Sequence, residues 1–372
     1  MPERSPPFFL AIFFSCERLS VSCTVRCPRS FFCDLGAPKS AGDRAALLEA
    51  IDQGMTDVEK PSGRRHFLKV ASVGSASLAA GGPFESANAG EGKPQEESKA
   101  PRSRREKQVD LLFLGTGAAN WPRRYPPLQK KLSRGEVRGM SSMLVNEHLL
   151  VDCGPTVLDV MKRYDVNPAG VSDILLTHTH SDHLHPSSIE AIANARDDGL
   201  GPLRFWGDPA ALTQVPDSDH IEKRPVGIEQ PFTIDAFTVT GLASNHYVED
   251  SKETCLIYLL ETAGRSLLYA TDTGWLPTHT SIYLRKKQLD AVVWDATMGE
   301  GTGDPRIFGH NDLTMIRHMN QTLASQKVLK PDAKIILTHL AKNLHPVHEM
   351  LEKRLLPEGL IPAYDGMAVV FE

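Results

Sequence analysis

The stretch LLTHTHSDHLHP (175–186) sets His178, His180, His183 and His185, together with Asp182, inside eight positions. Imidazole nitrogens and carboxylate oxygens are the donors that hold divalent transition metals, and a mixed set of the two suits zinc, manganese or iron better than calcium or magnesium. The apolar run DILL before the histidines reads as a strand. Where such a strand ends in H-x-H-x-D-H, His178 and His180 can project to one side, and the following turn can present Asp182 and His183 to an adjacent point. Two metals need more donors than these. Later apolar runs supply them: His246 follows Asn245, Asp272 ends LLYATDTG, and His339 ends KIILTH. An aspartate can span two ions because its two oxygens point separately. A solvated histidine-rich loop is the competing reading, and it gives no reason for matching donors at three other run ends.

The elements that must position these residues begin near Val109. The runs VDLLFLGTG, HLLVDCG, DILLTH, SLLYATDTG, DAVVWDAT and KIILTH each read as a strand with polar chemistry at its C-terminal tip. Strands rich in Leu, Ile and Val without clean alternation are usually buried on both faces. Helical patterns fall at 156–164, 187–196, 312–324 and 346–356. The third has Asn311 and Asp312 as N-cap types and places Leu313, Ile316, Met319 and Leu323 on one face. FTIDAFTVTGLASNH and ETCLIYLLET alternate more and suit antiparallel strands. The pattern predicts an α/β layered body.

Bulk properties bound the function. The chain of 372 residues is 41% apolar with a net charge of −5, enough for a sizeable core and without the basic excess of a dedicated nucleic-acid binder. No apolar run is long enough to span a bilayer. Four of six cysteines lie in the first 33 residues. Cys153 and Cys255 in the body read as buried, reduced thiols.

The first hundred residues read differently. PSGRRHFLKVASVGSASLAAGG (61–82) resembles a twin-arginine export signal, with Arg64 and Arg65 before a modest apolar stretch and a cleavage point after Ala89. Met55 is then a credible start, which makes 1–54 a non-native or disordered extension and 55–89 the signal. Residues 90–107 read as a flexible linker, and 108–372 as the folded domain. Export implies a periplasmic or other extracytoplasmic location, or a cytoplasmic one where the signal goes unused.

In order along 109–372, Asp152 in LVDCG, then HTHSDH, His246, Asp272 and His339 resemble the five motifs of the metallo-β-lactamase superfamily. The resemblance implies a four-layer αββα sandwich with a dinuclear site at one edge. It places one metal on His178, His180 and His246 and a second on Asp182, His183 and His339, with Asp272 bridging. Asp152 is expected to steady the neighbouring loops. His185, His220, His279, His318, His345 and His348 have no expected role in the site. The implied cofactors are two divalent ions, zinc or manganese, and no other cofactor is expected.

The implied reaction is metal-assisted hydrolysis, in which paired metals acidify a bridging water to hydroxide and neutralise charge on the substrate's oxygens. An aspartate at 272 disfavours a lactamase, since that branch carries cysteine or serine there. HNDLTMIRHMNQTL (310–323), KIILTHLAKN (334–343) and LLPEGLIPAYDGMAVVF (355–371) are similar to the phosphoribosyl 1,2-cyclic phosphate phosphodiesterases of phosphonate degradation. By that resemblance His310 belongs to the active site, meeting phosphate or passing a proton to the leaving oxygen, and Asp182 and His310 are the expected catalytic residues. The competing reading makes His310 a cap on the helix beginning at Asn311. That family's structural zinc is not matched: the loop AANWPRRYPPLQKKLSRGEVRGMSS has no cysteine, and Lys342 stands where a histidine ligand would. Arg123, Arg124, Lys130, Lys131, Arg134 and Arg138 in that loop form either a basic flap over the site or a solvated charged loop. The expected partner is a small, cyclic or acyclic, phosphodiester substrate. Nucleic acid and stable membrane association after export are not expected, and a homodimer is compatible with the sequence. The alternatives are a nuclease resembling the tRNA 3′-processing enzyme, for which 209–235 is a short and weakly basic arm, a thioester or lactone hydrolase, or a cofactor-pathway protein of the same fold.

Overall fold

The structure is a computed structural model that describes residues 108–301 and 304–371; the expected extension, export signal and linker lie outside the described residues. The first sheet contains β1 (Val109–Gly115), β2 (Ser142–Val145), β3 (Leu149–Val151), β4 (Asp173–Leu175), β5 (Leu203–Gly207) and β6 (Ile221–Pro225), with β14 (Met367–Phe371) returning to pair with β1. The second runs β13 (Leu360–Pro362), β12 (Leu329–Thr338), β11 (Leu289–Asp295), β10 (Ser266–Ala270), β9 (Leu256–Glu261), β8 (Phe237–Ala243) and β7 (Pro231–Ile234). Helices α1 (Val157–Arg163) and α2 (Pro186–Asn194) belong to the first half. Helices α3 (Thr278–Leu284), α4 (Leu313–Ser325) and α5 (His348–Leu355) belong to the second.

Side-chain alternation explains why the apolar runs look continuous. On β9, Leu256, Tyr258 and Leu260 join a core cluster that also holds Phe113, Val145, Leu149, Val239, Val293 and Ile336 from both sheets. Ile257 and Leu259 point the other way, into a cluster with Trp294, Leu284, Ile316, Leu323 and Leu351, where α3, α4 and α5 cover the second sheet. A third cluster packs Leu114, Leu150, Ile174 and Phe205 of the first sheet against Val160, Met161, Ile189 and Ile192 of α1 and α2. Three apolar interfaces separate four layers, so the domain is the expected αββα sandwich. Both faces of each central strand are dry, and no polar alternation is left to see.

The alternating segments form antiparallel pairs in the second sheet, β7 with β8 and β8 with β9, while β10, β11, β12 and β13 are parallel. Four helices fall close to the expected positions. The fifth, α3, was not legible: THTSIYL is short and carries β-branched residues that lower helix propensity. It is held from outside by packing of buried Leu284 and by Thr280 Oγ1 donating to Ala243 O at 2.7 Å. Helix α4 starts at Leu313, directly after the expected N-cap types. Its cap is Asp312, whose Oδ1 accepts from Met315 N at 2.7 Å, so His310 is not the capping residue.

Cys153 and Cys255 are buried free thiols. Among the described residues no helix is long and apolar enough to cross a membrane. Residues 209–235, weighed as an RNA-gripping arm, contribute β6 and β7, the edge strands of the two sheets.

Candidate metal centre

Asp152, Asp272 and His339 sit just past the ends of β3, β10 and β12, with φ of 62°, 48° and 56°. Left-handed backbone at a residue other than glycine is strained by about 1–3 kcal/mol and persists where its surroundings fix it. At these three tips it turns the chain sharply as it leaves the sheet.

The seven expected donors converge. His178, His180 and His246 form one group of mutually close donor atoms, and Asp182, His183 and His339 form another. Within the first, His178 Nε2 is 2.9 Å and His246 Nε2 3.1 Å from His180 Nδ1. Within the second, Asp182 Oδ2 is 3.3 Å from His183 Nε2 and 3.4 Å from His339 Nε2. Asp272 divides itself between them. Its Oδ1 lies 3.6 Å from His246 Nε2 and 4.0 Å from His178 Nε2, and its Oδ2 lies 3.0 Å from His183 Nε2 and 3.2 Å from His339 Nε2.

These spacings fit metal shells. Donors held 2.0–2.1 Å from a tetrahedral ion stand roughly 3.3 Å apart. His183 Nε2 and Asp272 Oδ2 are also buried without a hydrogen-bond partner among the described residues, an arrangement that is unfavourable unless a cation fills the space between them. The residues present could therefore hold two divalent ions.

The opposite ring nitrogens are occupied. His183 Nδ1 meets Asp152 Oδ2 at 2.8 Å, His178 Nδ1 meets Thr177 Oγ1 at 3.0 Å, His246 Nδ1 meets Gly309 O at 2.8 Å, and His339 Nδ1 meets Thr297 Oγ1 at 2.6 Å. Anchoring of this kind fixes ring orientation and leaves Nε2 facing the centre. Asp152 also accepts from the Thr177 amide and hydroxyl, the bracing role expected of it. Burial holds the His178, His180 and His246 imidazoles below their usual pKa, so they stay neutral with a lone pair to offer.

His310 joins the edge of this cluster. Its ring stacks on His339 with centroids 5.4 Å apart and lies 4.8 Å from the His246 ring. Its Nδ1 is 2.7 Å from Asp295 Oδ2 and 3.7 Å from Asp272 Oδ1. Burial opposes the charged imidazolium, but Asp295 and then Asp272 outweigh it and lift the His310 pKa to about 9. Asp295 is fully buried at the tip of β11, and its Oδ1 accepts from the Thr297 amide and hydroxyl. Sequence reasoning noted the DAVVWDAT tip but not Asp295 itself, since a lone carboxylate at a strand end carries no signal of its partner fifteen positions on.

Glu253 was missed as well. It accepts from the Thr179 amide at 2.8 Å and hydroxyl at 2.6 Å, pinning the backbone between His178 and His180. His185 occupies the N-cap of α2 and contacts Ser188 Oγ at 2.9 Å. His220, His279, His318, His345 and His348 belong to none of the converging donor groups.

The basic loop separates into different jobs. Arg138 is buried and donates to Thr116 Oγ1 and Ala363 O; Arg134 pairs with Glu352, and Lys130 with Glu136. Arg123 alone of the six bonds to the ligand loop: its Nη2 donates to Ser181 Oγ at 2.6 Å, between His180 and Asp182. Where the resemblance has a structural zinc, the same two segments are joined without metal. Trp121 Nε1 donates to Leu340 O, Asn120 bonds Asn343 and the Lys342 amide, and Lys342 Nζ lies 5.6 Å from the centre of the Trp121 ring.

Comparison with known proteins settles the family. A family model described as a beta-lactamase superfamily domain matches residues 147–340, just over half of the chain. The protein belongs to this superfamily. A curated Ribonuclease Z from Gemmatimonas aurantiaca is 34% identical over 96 residues, which span 26% of this chain and 27% of that protein. The match thus covers about a quarter of the relative's length. Among solved structures, the metallo-beta-lactamase fold protein YhfI from Bacillus subtilis superposes with a TM-score of 0.54 at 20% identity, over 71% of this chain and 100% of that one. A diphosphatase from the PhnP family does so with a TM-score of 0.54 at 18% identity, over 71% and 97%. Both likenesses establish the metallo-β-lactamase fold.

Proposed function

We propose that this superfamily hydrolase is a dinuclear metal-dependent phosphodiesterase acting on a small phosphate ester, cyclic or acyclic. The observation that carries the reading is the His310–Asp295 pair set against an aspartate-spanned double donor site. His178, His180 and His246 would hold one ion and Asp182, His183 and His339 the other, with Asp272 shared. When bound, such a pair supplies an acidified water and neutralises charge growing on the ester's oxygens.

The chain's own groups do the rest. Asp182 Oδ2 faces His183 and His339, which leaves its second oxygen to take the proton of the attacking water. His310 Nδ1 is tied to Asp295, so Nε2 is the atom that carries a proton to the departing oxygen. Arg123, anchored on Ser181, offers a planar cation for a non-bridging phosphate oxygen. The water oxygen bonds phosphorus, the bond from phosphorus to the leaving alkoxide breaks, and the alkoxide takes the His310 proton. A diester and one water give a monoester and an alcohol.

A nuclease is the second reading, favoured by the sequence match to a Ribonuclease Z. The test is to assay the purified full chain, loaded with zinc or manganese, against bis-p-nitrophenyl phosphate, a ribose cyclic phosphate and a precursor tRNA. Turnover of the first two, abolished by chelation, supports the proposal. Cleavage of the tRNA alone favours the nuclease, and two bound ions without any phosphodiester turnover redirects the site to thioesters, lactones or lactams. Export belongs to the same proposal, because an extracytoplasmic phosphodiester suits a protein that crosses the membrane already folded around its metals. Fractionation of cells making the native protein and an Arg64→Lys/Arg65→Lys variant tests it; identical distribution of the two would remove the export reading.

A further inference from the structure

Tyr164, Tyr247, Trp275 and Phe308 are the exposed aromatic residues among the described ones, and three of the four lie on the loops that carry His246, Asp272 and His310. Tyr247 directly follows His246, Trp275 comes three residues after Asp272, and Phe308 comes two before His310. Their loops are stitched to one another. The Gly274 amide donates to Asn245 O at 3.0 Å, and His246 Nδ1 bonds Gly309 O at 2.8 Å. A side chain at position 274 would strike Phe308 O at 2.8 Å, so these backbones touch. The Tyr247 ring lies 5.9 Å from the His246 ring. Tyr247 is 76%, Phe308 78% and Trp275 48% exposed.

Packing does not account for this placement. Leaving large rings in water forfeits their burial, and exposed apolar clusters beside a site generally serve a ligand. Cations stand beside other ligand segments, Arg123 on Ser181 between His180 and Asp182, and Lys342, which lies over the Trp121 ring, three residues after His339. The ligand segments thus carry both cations suited to phosphate oxygens and exposed rings suited to a flat apolar group.

We infer that Tyr247, Trp275 and Phe308 form a stacking rim that selects phosphodiesters bearing a planar aromatic ring, such as a nucleobase. The inference rests on the phosphodiesterase reading and adds its substrate class. Aromatic stacking on a base is sequence-tolerant and is worth about a tenfold gain in binding or more. The rings serve positioning and specificity.

The test compares two substrates that share one scissile bond, adenosine 2′,3′-cyclic phosphate and methyl riboside 2′,3′-cyclic phosphate, with the metal-loaded full chain. The expected ratio of kcat/KM favours the adenosine ester by about tenfold or more. In Tyr247→Ala/Phe308→Ala the ratio collapses toward one, while Phe308→Tyr keeps it. A benzyl riboside cyclic phosphate shows whether any aryl ring suffices or a nucleobase is required; preference for either supports the rim. A second arm is independent of turnover: binding of AMP and ribose 5-phosphate, read by calorimetry. Tighter AMP binding that is lost in the double variant supports the rim even where neither ester is hydrolysed, in which case the reaction reading fails alone. Equal affinity for the two ligands in the unmodified protein, or a preference unchanged in the double variant, overturns the inference. The substituted residues are largely solvent-exposed, so folding is not at stake in the comparison.

Discussion

Asp295 and His310 show how much of the site depends on residues outside the seven donors. A neutral imidazole free to rotate would present either nitrogen to a substrate, whereas the 2.7 Å contact to Asp295 fixes Nδ1 as the inward donor and Nε2 as the outward one. His310→Ala should keep its metals and slow turnover by about 10²–10⁴-fold, the usual weight of a positioned proton donor. Elemental analysis beside steady-state kinetics checks this, and metal lost along with activity would make His310 a ligand instead. Asp295→Asn should also keep the metals but lower kcat by about 10–100-fold with little change in KM, because it removes the charge that orients His310 and raises its pKa while leaving an oxygen for Thr297.

The elements that carry the site are legible to different depths. The H-x-H-x-D-H run and the strand-tip residues Asp272 and His339 are visible because the donors and the apolar strands that deliver them are local in sequence. Asp295 is not, because its meaning depends on a loop that folds back from β11. The six cations of 123–138 look alike in sequence, yet Arg138 is sorted into the core by Thr116 and Ala363, and Arg134 to the surface by Glu352, all long-range contacts. Helix α4 is legible in the same way as the H-x-H-x-D-H run, since its apolar face and its cap Asp312 are both local in sequence. Its N-terminus follows directly on the His310 loop, so its stability bears on the site. Asp312→Ala should destabilise the domain by about 1 kcal/mol through loss of the cap. Ile316→Ala, which empties a fully buried position under β11 and β12, should cost about 2–5 kcal/mol. Equilibrium denaturation distinguishes the two, and equal effects would mean that α4 is not held mainly by its apolar face.

At the scale of the whole domain, acid stability has a contributor outside the donor groups. His345 is largely buried, contacts Ala296 O at 2.8 Å through Nε2, and is pushed down to about 4 by burial and then by nearby Arg138. An unfolded chain takes up a proton near pH 6.5 that the folded chain refuses until about pH 4. The stability His345 contributes is therefore complete above pH 6.5 and lost as pH falls through that window, with a slope of up to about 1.4 kcal/mol per pH unit. Asp365 works the other way. Burial raises its carboxyl to about 6, so the folded state gains relative stability as pH falls below that value. His345→Gln keeps a donor for Ala296 and removes the titration, so its stability should fall less steeply than that of the unmodified protein between pH 6.5 and 4. Parallel pH profiles would show that His345 is not what limits acid stability.

The central claim is that one sandwich edge holds two ions shared through Asp272. The most direct measurement is a metal titration of the stripped full chain and of its Asp272→Ala variant, followed by elemental analysis after removal of free metal. The arrangement of donors predicts two divalent ions per unmodified chain and loss of the paired binding in the variant, together with nearly all hydrolysis. A single ion per unmodified chain at saturation, or two retained in Asp272→Ala with activity intact, would contradict it.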